Sequence, residues 1–163
     1  NGGAGAMVGQ NLGARKIDRV KKIVFTTMGL AAVFSSMAAL IAIFLPRQAF
    51  SLFTTDPEVI KFGVTYLQIN LIVFAIAPLQ GSFGSIVTGS GFANLSFATG
   101  ILDGVILRLG ISFLLAYGMD MGVVGFFYGN ALARLGPTIV SSAYFFSGKW
   151  KTRKLLIDAE KKP

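Results

Sequence analysis

The sequence has no cysteine and no histidine, and only seven acidic residues against fifteen Lys and Arg. The first absence excludes disulfides, thiol nucleophiles and thiolate metal sites. The second removes the commonest metal ligand and proton shuttle. Charge of either sign is scarce at 13%, about half of what a soluble domain typically carries. With 53% hydrophobic residues and a mean hydropathy of +0.68, the chain reads as a membrane protein. Its net charge of +8 is gathered at the ends of apolar runs, not spread over one solvated face. That pattern orients a membrane protein and does not suit nucleic-acid binding. Without His or Cys, and with one carboxylate inside the apolar segments, no nucleophile–base pair, aspartyl dyad or metal site can be assembled. Neither an enzyme nor a bound cofactor is expected.

What is present is organised around residues 8–22, VGQNLGARKIDRVKK, the longest basic run between apolar segments. Beside apolar spans, such a run is expected as a cytoplasmic loop, with Gly9 and Gly13 letting the backbone turn. The small, apolar residues before it look like the last turns of a truncated span. A start at Asn1, with no leader pattern, suggests a piece of a longer chain. Four apolar stretches follow, at 23–45, 62–88, 92–117 and 123–146, each long enough to cross a bilayer. The fold class expected is all-α, a polytopic transmembrane helix bundle of about four complete spans plus the end of a truncated one. The start of the second span offers two caps, a Thr55–Glu58 capping box or Asp56 followed by Pro57. Pro78 and the Gly136-Pro137 pair predict kinks. Gly125 and Gly129, four apart, predict close helix contact. Lys149, Trp150, Lys151, Arg153 and Lys154 form a basic, aromatic-anchored exit, and 155–163 is a polar tail. Four crossings put the basic loop and this exit on the same, cytoplasmic side.

Gly9, Gln10, Asn11, Leu12, Gly13 and Ala14, a gap, then Lys16 resemble the loop that recurs in each half of multidrug and toxic compound extrusion (MATE) transporters. Thr55-Asp56-Pro57-Glu58 resembles the entry to that family's tenth helix, and Gly89-Ser90-Gly91 the glycine turn after it. Arg108 sits where the family often carries an Arg in its eleventh helix. Gly122-Val123-Val124-Gly125 and Gly148-Lys149-Trp150-Lys151 resemble the twelfth helix and its exit. The resemblance implies that residues 1–154 are the C-terminal part of a second six-helix lobe. It implies an antiporter exporting organic cations or drugs against an inward sodium or proton gradient, by alternating access. The partners implied are a cationic small molecule, the lipid bilayer and the N-terminal lobe of the same chain. The location implied is a bacterial-type inner membrane, multi-pass. A lipid-linked precursor or polysaccharide flippase of the same superfamily is the alternative. The sequence departs from the family where Phe92-Ala93-Asn94 follows the glycine turn, and its tenth helix carries no acid. The choice between sodium and proton stays open.

Candidate transport residues are the charged and larger polar groups within the spans: Asp103, Arg108, Arg134, Gln80 and Asn70. Charges inside a bilayer are costly and need partners. Asp103 and Arg108 are five apart, about 140° around an α-helix, so they are not expected to face each other. Counting about 1.5 Å per residue puts Asp103 roughly 18 Å and Arg134 roughly 14 Å from the cytoplasmic edge. Depth therefore predicts an Asp103–Arg134 pair. Asp103, the lone carboxylate of the spans, is the expected stop for a cation.

Overall fold

The computed structural model describes residues 2–152, and among these there are helices and no strands. Helix α1 is Gly2–Gly13 and α2 is Ile17–Phe44. A short α3, Pro46–Ser51, leads to α4, Pro57–Ile69, and α5, Leu71–Gly89. The next helix, Ala93–Gly118, is continuous but mixed. It runs as α6, Ala93–Ile101, a π-helical segment Leu102–Leu107, α7, Arg108–Phe113, and a second π segment Leu114–Gly118. Helix α8, Gly122–Ala133, and α9, Leu135–Phe146, precede a 3₁₀ turn at Lys149–Lys151. The tail at 155–163, with Arg153 and Lys154, lies outside the described residues.

Three helices among the described residues, Ile17–Phe44, Leu71–Gly89 and Ala93–Gly118, are long and apolar enough to span a bilayer. The other expected span is divided at Arg134. The ring of Pro137 lacks an N–H and crowds the carbonyl four residues back, that of Ala133, where α8 ends. Pro78, by contrast, sits inside an unbroken α5. The interruption falls at Asn70, whose side-chain amide donates to the Tyr66 carbonyl at 2.8 Å, a local bond that competes with the helix ladder.

The basic stretch is a corner between two helices, not a loop. Gly9 and Gly13 are helical, and the turn is confined to residues 14–16. Arg15 adopts a left-handed φ of 54°. The Lys16 N–H donates to Asn11 O at 2.8 Å and the Arg15 N–H to Leu12 O at 2.9 Å. These two bonds are a Schellman motif, which satisfies the last carbonyls of α1. Gly9 serves packing instead: a Cβ there would stand 3.2 Å from the Gly89 carbonyl oxygen on α5. At the start of α4 the choice of cap is resolved. The Asp56 carboxylate accepts from the Glu58 N–H at 2.9 Å, and Pro57 opens the helix.

The main core gathers Val8 and Leu12 of α1, Val20 and Val24 of α2, and Phe83 and Ile86 of α5 around Phe145 and Trp150. Trp150 is 1% exposed, donates from Nε1 to the Phe145 carbonyl at 2.8 Å, and stacks on the Phe145 ring. Gly148, at φ 69°, makes the bend that folds it back. The basic corner and the turn at Lys149–Lys151 therefore lie at one end of the bundle. A second cluster joins Ile69, Val73 and Ala131, linking α4, α5 and α8. Gly125 and Gly129 of α8 pack on the backbone at Ala116 and Ser112, so two helices touch where side chains would hold them apart. Away from these contacts the large apolar side chains point outward, with Phe44 at 71% and Phe97 at 71% exposed. So much apolar surface is tolerable only against lipid or further protein.

Candidate functional site: a charged cleft

A cleft of about 720 Å³ opens between α1, α5, the Ala93–Gly118 helix and α9. Small residues leave the space: Gly5 and Ala6 on α1, Gly84 and Gly89 on α5, Gly100 on α6. Four of the five transport candidates line it, namely Gln80, Asp103, Arg108 and Arg134. Asn70 does not. It is buried at the α4–α5 break, with its amide committed to Tyr66. The residues of the family-like corner, Gly9, Gln10, Asn11, Gly13 and Lys16, do not line it either. Asn11 donates to the Met7 carbonyl at 2.8 Å, while Gln10 and Lys16 are exposed.

The pairing inside the cleft differs from that expected. Arg108 Nη2 donates to Asp103 Oδ2 at 3.2 Å, on the same helix. Arg134 Nη1 donates instead to Gln80 Oε1 at 3.3 Å. The reason is the π-helical segment at Leu102–Leu107. In an α-helix residues five apart diverge; in a π-helix they are the hydrogen-bonded pair. Here the Arg108 backbone N–H donates to the Asp103 carbonyl. The wider turn thus stacks Arg108 over Asp103, and the side chains close the ion pair that the backbone has already aligned. Both side chains are partly open to the cleft, Arg108 37% and Asp103 24% exposed.

The clamp is incomplete. Among the described residues, Asp103 Oδ1, Arg108 Nε and Arg134 Nε are buried and have no hydrogen-bond partner. The cleft hydroxyls are mostly turned back on their own helices: Thr99 to Leu95 and Ser96, Thr88 to Gly84 and Ser85. Their oxygens are left as acceptors. The wall thus offers separated donors and acceptors around a small-residue floor. Sequence reasoning missed Thr99 and Ser141, which line the cleft without any charge to mark them. They lie within the spans whose charged residues were already flagged.

The chain matches the MatE family model over residues 1–114, more than half its length. This chain belongs to the MatE family. It is a multi-pass membrane protein, built from apolar helices. It is similar to multidrug and toxin extrusion protein 1 of Xenopus tropicalis, 19% identical over 144 residues, which cover 88% of this chain and 25% of that protein. It is also similar to multidrug and toxin extrusion protein 1 of Mus musculus, 22% identical over 148 residues, 91% of this chain and 26% of that protein. The chain spans about a quarter of the length of these curated relatives. No solved structure matches it significantly. The family match takes in Asp103 and Arg108 and ends before Arg134.

Proposed function

We propose that this chain is part of a secondary antiporter that exports organic cations or drugs against an inward sodium or proton gradient. The observation that carries the reading is the cleft. In a member of the MatE family, four helices enclose a polar, charged space whose wall includes the one carboxylate of the apolar segments. Ionisable groups at that depth are costly and are kept for a function. The curated relatives are named for multidrug and toxin extrusion, which supports the substrate class. A flippase for lipid-linked precursors needs several cations to hold phosphates, and Asp103 already neutralises one of the two guanidiniums here. Coupling follows from the Asp103–Arg108 clamp. A cation that displaces Arg108 from Asp103 shifts the population between two states, and the two lobes alternate their access around it.

The test uses the full-length protein in cells or proteoliposomes loaded with a fluorescent cation, under an imposed sodium or proton gradient. Asp103→Asn is nearly isosteric and removes the charge, and it is expected to abolish gradient-dependent export while the protein still inserts. Wild-type export with unchanged ion dependence overturns the proposal. The reading also places the basic end in the cytoplasm. In a full-length background freed of any other cysteine, Lys149→Cys and Thr55→Cys are expected to react with an impermeant reagent from opposite sides. Labelling from one side refutes the orientation.

A further inference from the structure

Among the described residues the helices pack as two groups. The first is α1, α2, α5 and α9, held by the main core with Trp150 locked on Phe145. The second is α3, α4, the Ala93–Gly118 helix and α8. Here Gly125 and Gly129 bring α8 onto the backbone at Ala116 and Ser112. The Tyr66 and Phe127 rings join α4 to α8 edge-to-face, with centroids 5.2 Å apart. The Phe50 ring fills the place of a side chain at Gly63 and so fastens α3 to α4. Faces packed this closely move as units and do not deform continuously.

The chain passes between the two groups four times, and each passage falls at a break in helical winding. α2 gives way to α3 at Leu45, with φ −129° and ψ 34° ahead of Pro46. α4 gives way to α5 at Asn70. α5 gives way to the Ala93–Gly118 helix through Gly91, left-handed at φ 65°. α8 gives way to α9 at Arg134, ahead of Pro137. By contrast, Pro78 leaves α5 unbroken within the first group, and the π-helical segments leave the Ala93–Gly118 helix continuous within the second. The cleft lies along the same boundary, with α1, α5 and α9 on one side and Asp103 and Arg108 on the other.

We propose that the second group swings as one body on the first, about these breaks, and that the swing opens and closes the cleft. Hinges of this kind are a few residues at element ends that absorb the change in φ and ψ. The proposal goes beyond the export reading, in which whole lobes alternate, because it places an articulation inside one lobe. The Asp103–Arg108 clamp lies within the second group and travels with it. The Arg134–Gln80 contact, at 3.3 Å, joins the α8–α9 hinge to the first group and is made or broken by the swing.

The experiment places pairs of spin labels on the full-length protein, freed of any other cysteine and held in nanodiscs, and reads distances by double electron–electron resonance. Phe97→Cys with Phe146→Cys, and Leu109→Cys with Ile139→Cys, span the boundary. Phe62→Cys with Leu114→Cys, and Phe34→Cys with Phe146→Cys, each lie within one group. All of these side chains point away from the packed interior. Distances are compared with and without sodium, low pH and tetraphenylphosphonium. In at least one condition the spanning pairs are expected to shift by more than about 2 Å, the scale of loop and domain rearrangement. The pairs within a group are expected to stay in place. Pro137→Ala returns an N–H to the Ala133 carbonyl and is expected to narrow the spanning distributions. Spanning distances fixed in every condition, or distances within a group that shift as much, overturn the articulation. Unaltered distributions in Pro137→Ala remove the α8–α9 break as a hinge. Gradient-driven export with fixed spanning distances overturns this inference alone. Shifting spanning distances without gradient-driven export overturn the antiporter reading and leave the articulation standing.

Discussion

Asp103 with Arg108 and Arg134 with Gln80 are both polar contacts in one cleft, yet they are made by different means. The first lies within a single helix and depends on its local winding. The second joins α5 to the α8–α9 break and depends on how helices pack. The first is charge-balanced and should survive movement of its neighbours. The second leaves a positive charge over among the described residues and should fail when the helices part. In this cleft, then, the balanced pair is the local one, and the unbalanced charge sits on the contact that feels rearrangement of the bundle. That is the arrangement expected if ligand charge is to be sensed by helix packing.

The most disruptive way to separate the two is Gly129→Val. A Cβ at Gly129 would overlap the Ser112 side chain and backbone, so α8 must move off α7. Overpacking of this kind costs about 1–3 kcal/mol. A clear fall in the melting temperature in detergent is expected. The contact between Arg134 and Gln80 is expected to be lost, while that between Asp103 and Arg108 is kept. An unchanged melting temperature would mean that the close approach does not hold the bundle.

Much of this fold was legible because it follows from composition and local chemistry. The apolar runs became helices, the Asp56-Pro57 cap formed, and the glycine pair at 125 and 129 brought two helices together. The basic run read as a loop over 8–22 is helical but for a corner at 14–16, and the residue that makes the turn is not a glycine. Glycine is the usual residue at φ > 0, whereas here an arginine takes that position and the glycines serve contacts with α5. The candidate residues were legible as unusual groups in apolar surroundings, and four of the five line one cleft. Their pairing was not. Angular arithmetic assumed α-helical winding throughout, and nothing in LDGVIL advertises a π turn. Asn70 failed for a related reason: a polar residue in a span can serve its own backbone as readily as a cavity.

Double-mutant cycles test the pairing directly, with an intermediate effect. Asp103→Asn and Arg108→Gln, alone and together, are expected to show a coupling of about 0.5–3 kcal/mol in detergent unfolding, as for residues in contact. The cycle of Asp103→Asn with Arg134→Gln is expected to couple by less than about 0.5 kcal/mol. The reverse order of the two couplings would restore the pair that depth alone predicts, and would remove the π-helical account of the clamp.

The finest distinction is between the charge of Arg134 and the amide that holds it. At 3.3 Å the bond to Gln80 is longer than the usual range for N–H···O contacts. Its net worth belongs at the low end of the roughly 1.5–3 kcal/mol typical of bonds in which one group is charged. Gln80→Leu is therefore expected to lower the melting temperature slightly. The guanidinium is left charged and still on the cleft wall, because the backbone at Arg134 is fixed by the Thr138 hydroxyl and by Pro137 rather than by Gln80. If Gln80→Leu instead destabilises the protein as much as Asp103→Asn does, the amide is what positions Arg134. The two contacts would then be equally structural, and the contrast between a local clamp and a packing-dependent one would no longer hold.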